Sequence, residues 1–110
     1  MGQDLMRVSL PVCLNEPLGG IQRLCDMFHE GIEQLKRAAV HPDPVWRLAL
    51  GVIGNTALFS SVKFRKKKPF NAMLGETFEM VGKDFRFVGE KVAHSPDQIN
   101  AYVFEGENFI

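Results

Sequence analysis

The hydrophobic pattern predicts helices in the first half of the chain and strands in the second. Between residues 15 and 61, apolar side chains recur every three or four positions, the spacing of a helix face. From residue 76 onward, apolar and polar residues alternate, as in strands that bury one face. Because the helices precede the strands instead of alternating with them, the pattern predicts an α+β fold.

Start and stop signals delimit the first two predicted helices. Residues 5–14 are predicted to be extended or irregular, and Asn15-Glu16-Pro17 then begins a helix, since proline suits the first helical turn. Its apolar stripe consists of Leu18, Ile21, Leu24, Cys25 and Phe28. The second helix runs from Ile32 to Ala39 and ends before His41-Pro42, because a residue that precedes proline disfavours helical geometry.

The third predicted helix, Val45 to Ser60, is the most apolar part of the chain. Asp43-Pro44 precedes it as a cap residue followed by proline. Apolar residues lie on most sides of this helix, so we expect it to be central and buried. Gly51 and Gly54 weaken a helix intrinsically, and we expect close packing against a neighbour to explain both.

Three strands and a hairpin turn are predicted from residue 76 to the end. The first strand spans 76–81, Val81 to Asp84 forms a hairpin turn, and return strands follow at 85–88 and 99–104. Phe109-Ile110 would begin a further strand and leave an open apolar edge, which folded proteins normally avoid. We therefore expect the natural protein to continue beyond Ile110, and this piece to self-associate through the open edge.

Composition restricts the function to local features of the surface. The 110 residues allow one domain at most, with 45% hydrophobic residues and a net charge of +0. No global field therefore recruits a partner, and any electrostatic function must be local. No stretch approaches the roughly 18 apolar residues of a membrane span. Cys13 and Cys25 are predicted to be reduced, buried thiols.

A basic cluster precedes the first strand. It consists of Lys63, Arg65, Lys66, Lys67 and Lys68. Such a run is often only a solvated surface. It could instead bind nucleic acid, which the zero net charge disfavours. The third interpretation is that the cluster binds an anionic membrane surface or a phosphoinositide headgroup, with a binding free energy of about 1 kcal/mol per basic residue.

Polar residues beside the cluster and in a later loop could complete an anion site. The amide of Asn71 can donate to a phosphate, although asparagine is also a common turn residue. Glu76 could cap a turn or pair with the cations. His94 follows a predicted strand and could donate to a phosphate or serve a structural role.

The sequence contains no recognisable catalytic constellation. His29, His41 and His94 lack the spacing of metal ligands, and no glycine-rich phosphate loop with Lys and Ser or Thr is present. Neither cysteine has a suitably placed histidine and asparagine along the chain. We therefore predict a protein that is not an enzyme and uses no cofactor or metal.

Two segments resemble those that mark the oxysterol-binding protein family. Residues 68–79 are similar to the family's Lys-Pro-Phe-Asn-Pro-Leu-Leu-Gly-Glu-Thr segment, with Ala72 and Met73 as replacements. Residues 90–97 resemble its fingerprint Glu-Gln-Val-Ser-His-His-Pro-Pro and are identical at four of eight positions. Because further similarities keep the same order across residues 8–110, the chain is identified as a member of this family.

The resemblance implies a fold and a set of contacts. The expected fold is an N-terminal helical region (15–61), a basic loop (62–75) and the first antiparallel strands (76–110) of a large incomplete β-barrel. In the family the barrel encloses a tunnel for one lipid, a sterol or phosphatidylinositol 4-phosphate. By resemblance, the phosphoinositide headgroup would contact Lys68, Asn71, His94 and Ser95, of which Ser95 replaces the second fingerprint histidine.

Two functions follow as hypotheses. The first is lipid binding and non-vesicular lipid transfer between membranes by a cytoplasmic, peripherally associated protein. The alternative is a membrane-targeting or scaffold module that binds anionic lipid without extracting it, which the loss of the second histidine favours. In both, the residues facing the anionic membrane surface are Lys63, Arg65, Lys66 and Lys67, and no nucleic acid partner is expected.

Overall fold

The computed structural model describes residues 11–110, and its main helices precede its antiparallel sheet, as predicted. The helices are α1 (Gly20–Glu30), α2 (Ile32–Val40) and α3 (Pro44–Thr56), and 3-10 turns follow at Ala57–Phe59 and Ser61–Phe64. The strands are β1 (Asn15–Gly19), β2 (Lys68–Phe70), β3 (Thr77–Val81), β4 (Phe85–Ala93) and β5 (Ile99–Gly106). The irregular segment predicted at 5–14 lies partly outside the described residues, and Val12–Leu14 forms a 3-10 turn.

The first helix begins five residues later than the proline signal predicted. Residues of β1 instead pair in parallel with β2, with Asn15 opposite Lys68 and Gly19 opposite Phe70. The Asn15 side chain also donates to the Lys68 carbonyl at 3.4 Å. The predicted helix start was wrong because a distant strand supplies a partner that the local signal cannot anticipate. For the same reason, the predicted basic loop 62–75 contains β2 and a 3-10 turn.

The three-stranded sheet has the order β3-β4-β5 and is antiparallel throughout. The predicted hairpin turn is confirmed, since the Gly82 amide donates to the Phe85 carbonyl at 2.9 Å. Strand β4 extends to Ala93, five residues beyond its predicted end. Phe109 makes an isolated bridge to Gly106 where a fourth strand was expected to begin.

Helix α1 packs across β4 and forms the core with it. Ile21, Cys25, Phe28 and Phe87 are all buried, and Phe87 has no exposed surface. The approach is close at Gly89, where an added Cβ would lie 2.5 Å from Cγ2 of Ile21. A larger residue at this position would therefore force the Ile21 side chain away from the sheet.

Gly31, the N-cap of α2, and Gly54 of α3 lie where the two helices approach each other. A Cβ on Gly31 would lie 2.1 Å from the Gly54 carbonyl oxygen, and one on Gly54 would lie 2.9 Å from Cδ2 of Leu35. The predicted close packing is therefore confirmed at Gly54. It was wrong at Gly51, where an added Cβ would meet nothing within 4 Å.

Most of the remainder of α3 is exposed and the rest is only half-buried, so its predicted central burial was wrong. Trp46 is 60% exposed and Leu48 is 70% exposed, and Gly54 alone is buried along the helix. Within residues 11–110, neighbouring elements cover one side of α3 only. The continuous segment Pro44–Phe64 also has the length (21 residues) and mean hydropathy (1.3) of a helix that could cross a membrane, with 11% of its apolar window buried. The expectation that no stretch approaches such a span was therefore wrong by length and composition.

Candidate functional site

A tight turn after β2 is held against β4 by backbone hydrogen bonds. Gly75 adopts a φ of 80°, a conformation that glycine accepts without strain. The Gly75 amide donates to the Lys91 carbonyl at 2.9 Å, and the Lys91 amide donates to the Glu76 carbonyl at 3.0 Å. A Glu76 carboxylate oxygen accepts from the Met73 amide at 2.9 Å, so Glu76 caps the turn. These bonds place the segment that contains Asn71 beside Lys91.

Lys91 is a buried cation with neutral partners. Its side chain is 1% exposed, and Nζ donates to Oδ1 of Asn71 at 3.2 Å and to Oε1 of Gln98 at 2.9 Å. Nδ2 of Asn71 also donates to Oε1 of Gln98 at 2.8 Å, which closes a three-residue network. None of the ion pairs formed within residues 11–110 includes Lys91. A buried charge needs such polar partners, because leaving water is otherwise costly.

A small cavity lies in front of this network. Its volume is about 150 Å³, and its lining consists of Gly20, Lys68, Pro69, Phe70, Asn71 and Gln98. The structure thus brings together two predicted site residues, Lys68 and Asn71. Pockets that enclose drug-sized ligands measure roughly 300–1,000 Å³, so this cavity suits a small anionic group and not a whole lipid.

The other two predicted headgroup residues lie apart from this cavity. His94 and Ser95 are exposed in the loop between β4 and β5, and neither contributes to the cavity lining. The Ser95–Pro96 peptide bond is cis. From the same loop, Gln98 reaches the cavity in their place.

Sequence reasoning missed Lys91 and Gln98. The signal for Lys91 was the alternation in β4, where Phe87, Gly89 and Lys91 occupy successive inward positions. A lysine at an inward strand position is unusual, because charged residues are rarely buried unless partnered. No comparable pattern identifies Gln98, since its role depends on the path of a loop.

The basic cluster divides into paired and exposed members. The Arg65 guanidinium lies 3.6 Å from a carboxylate oxygen of Glu16, a residue that also pairs with Arg23 at 3.1 Å. This ion pair partly withdraws Arg65 from any external surface. The side chains of Lys66 and Lys67 are exposed.

Apolar side chains accompany the exposed cations. Lys63 lies over the ring of Phe64 at 5.8 Å from the ring centroid. Phe64 itself is 77% exposed, and Val62 is also exposed. Cations beside exposed apolar side chains are the combination that suits the interface of an anionic membrane.

The two cysteines have opposite environments. Cys25 is buried, and this burial, together with the Asp26 carboxylate, raises the pKa of its thiol to about 11. Cys13 is exposed, so the prediction of burial was wrong for that residue, and both thiols are free. Within residues 11–110, no group of three His, Cys, Asp or Glu side chains could hold a metal ion.

The arrangement defines a class of protein: an α+β chain in which helices precede an open antiparallel sheet, with a small cavity beside it that Lys68 lines. The family model described as oxysterol-binding protein matches residues 1–110, the whole length of the chain. The chain therefore belongs to the oxysterol-binding protein family, which confirms the resemblance and the fold class.

Several human relatives match over nearly the whole chain. Oxysterol-binding protein-related protein 6 of Homo sapiens is 42% identical over 113 residues, which cover 100% of this chain and 12% of that protein. Oxysterol-binding protein-related protein 7 of Homo sapiens is 43% identical over 112 residues, covering 99% and 13%. The chain thus spans about an eighth of the length of these relatives.

Solved structures share the fold. The Osh1 ORD domain in complex with ergosterol matches with a TM-score of 0.83 and 37% identity, over 96% of this chain and 25% of that chain. The Osh3 ORD in complex with PI(4)P from Saccharomyces cerevisiae matches with a TM-score of 0.72 and 30% identity, over 94% and 28%. The similarity therefore covers about a quarter of each solved domain.

Proposed function

We propose that this chain forms the headgroup end of a domain that binds a lipid and carries it between membranes. The cavity lined by Lys68, Asn71 and Gln98 is the observation that carries the proposal. Family relatives support it, because Osh1 was solved with ergosterol or cholesterol and Osh3 with PI(4)P. The protein would be a non-catalytic carrier in the cytoplasm, associated peripherally with membranes.

The phosphate of a phosphoinositide headgroup is the proposed occupant of the cavity. Lys68 supplies an ammonium group and Asn71 an amide donor, and hydrogen bonds to a phosphate anion are stronger than those between neutral groups. His94 and Ser95 would contact the headgroup from the loop side. The Ser95 hydroxyl can donate to a phosphate oxygen but adds no charge.

The alternative proposal is attachment to an anionic membrane without lipid extraction. The exposed Lys63, Lys66 and Lys67, with Phe64 beside them, favour it. Arg65 would contribute less, because it is paired with Glu16. Binding of this kind depends on summed charge and weakens steeply as salt is added.

Liposome co-sedimentation distinguishes the two proposals. Vesicles of phosphatidylcholine with and without phosphatidylinositol 4-phosphate are compared with phosphatidylserine vesicles of equal charge. For the headgroup site, binding should require the phosphoinositide, disappear in Lys68→Ala and persist in Lys83→Ala, which removes an exposed lysine of the β3–β4 turn. Equal binding to both anionic vesicles, with Lys68→Ala retaining most of it, would refute the headgroup site and support the alternative.

Self-association is a further proposal for the partners of this chain. Strands β3 and β5 are the outer strands of the three-stranded sheet, so each has one edge without a strand partner among the residues described. Such edges can pair with another copy. Sedimentation velocity over a range of concentrations tests this, and a monomer at every concentration would reject it. The expectation that no nucleic acid binds is tested separately, by adding RNA to the chain and measuring binding.

A further inference from the structure

Lys91 has no assigned role in the headgroup set, yet it is the most deeply buried charge beside the cavity. Its side chain is 1% exposed, and it contacts both amides that line the cavity, those of Asn71 and Gln98. Lys91 does not itself line the cavity. Any effect on a ligand must therefore pass through these two amides or through the field of its charge.

An ammonium group dictates which way a neighbouring amide faces. Lysine has three donors and no acceptor, so an amide that contacts it must present its oxygen. Asn71 and Gln98 both do so, and their nitrogens consequently point away from Nζ. One hydrogen of Asn71 Nδ2 is used by Gln98 Oε1. In the part of the chain that the structure describes, Nε2 of Gln98 donates to no protein acceptor.

We propose that Lys91 is a positioning residue that turns the Asn71 and Gln98 amides so that the cavity offers N–H donors to a phosphomonoester anion. This inference rests on the proposed headgroup function and names the residue that tunes the site. With the amides reversed, two carbonyl-type oxygens would face the phosphate and repel it. The buried positive charge of Lys91 also favours an anion, because screening is weak away from water.

The chain departs from the family fingerprint at two positions of this region. Lys91 stands where the fingerprint has glutamine, and Ser95 stands where it has a second histidine. Glutamine carries both a donor and an acceptor, so it can satisfy an amide in either orientation. Lysine permits one orientation only. The chain therefore has a serine in place of an imidazole at position 95 and a lysine in place of an amide at position 91.

The test uses Lys91→Gln, which restores the fingerprint residue, and Lys91→Arg, which keeps a cation with donors only. Lys83→Gln is the matched control for loss of one positive charge at an exposed position. NMR of the Asn71 and Gln98 side-chain amides without ligand reports their orientation. Titration with glycerophosphoinositol 4-phosphate, and with vesicles of phosphatidylcholine containing phosphatidylinositol 4-phosphate, reports binding of the free and lipid-borne phosphomonoester. Circular dichroism establishes that each variant is folded.

In Lys91→Gln we expect changed or exchange-broadened amide signals and about tenfold weaker binding, the effect of losing one hydrogen bond to a charged group. Lys91→Arg should restore most of the affinity, and Lys83→Gln should match the parent chain. Binding of both probes would assign the site to the phosphomonoester itself, whereas binding of vesicles alone would assign it to the lipid headgroup. Either result supports the inference if the measured binding is weakened in Lys91→Gln and not in Lys83→Gln.

Unchanged amide signals and unchanged binding in Lys91→Gln would overturn the inference while leaving the headgroup function intact. If the parent chain binds neither probe, the proposed function fails, and the ligand-free amide spectra still decide the role of Lys91. If Lys91→Gln fails to fold, NMR of the parent chain tests the inference instead. Slowly exchanging Lys91 ammonium protons with single, resolved amide signals would support the inference, and averaged amide signals would overturn it.

Discussion

Helices α1 and α3 differ in how the described chain uses their apolar surfaces. In α1 the apolar stripe is covered by the sheet, and Ile21 and Cys25 are almost completely buried. In α3, Leu48 and Val52 are exposed on the outer face and line a shallow groove of about 670 Å³. A hydrophobic pattern predicts that a surface is covered, but it does not predict whether the covering element lies within the same segment of chain.

The largest expected effect on stability comes from truncating a core side chain in the sheet that covers α1. Phe87→Ala should lower the free energy of unfolding by about 3–5 kcal/mol, because it removes a fully buried ring and leaves a cavity. Leu48→Ala in α3 is the control and should change it by less than about 0.5 kcal/mol, since that side chain is exposed. Urea unfolding of both variants measures the difference. Similar losses in the two would show that α3 is buried in solution.

The contact between α2 and α3 should be the next most sensitive feature. Gly31→Ala places a methyl group against the Gly54 carbonyl, and overpacking of this kind costs about 1–3 kcal/mol. Gly51→Ala is the matched control in a helix interior, where the added methyl meets nothing within 4 Å. It should stabilise the chain by about 0.5–1 kcal/mol through helix propensity. Thermal unfolding of the two variants should therefore shift in opposite directions, and shifts of the same sign would contradict the packing described.

Alkaline pH should lower the free energy of unfolding, because it ionises the thiol of Cys25 in α1. Burial raises the pKa of this thiol from 9.0 to about 11, so the unfolded chain loses the proton at lower pH than the folded chain. The stabilisation is complete below pH 9 and is lost as the pH rises towards 11. Other groups titrate in this range, so unfolding of the parent chain is compared with that of Cys25→Ser. An identical pH dependence in both would exclude a contribution from Cys25.

The smallest expected effect leaves stability unchanged and concerns thiol accessibility. At neutral pH, Cys13 should react rapidly with a thiol reagent because it is exposed, whereas Cys25 should react only when the core opens. Mass spectrometry of labelled peptides over time separates the two sites. Equal labelling rates would show that α1 is not held against the sheet.

Local signals were sufficient where the partner of an element lies nearby in the chain. The bounds of α2 agree with the prediction to one residue, and the turn at Gly82 was identified from its residues. The two family segments could also be recognised directly, because each is continuous in sequence. Lys68 and Asn71 belong to one of these segments and were therefore predicted together, and in the structure both line one cavity.

The tertiary structure decided the features that join distant residues. Asn15 lies in a strand because β2 supplies a partner 53 residues later. Lys91 and Gln98 join Asn71 because the Gly75 turn is bonded to β4 and the following loop returns to it. The sequence by itself determined the family, the order of helices and strands, and the cationic segment. Which charge is buried, and which apolar helix face stays uncovered, depends on packing between separate elements, and no local pattern encodes that packing.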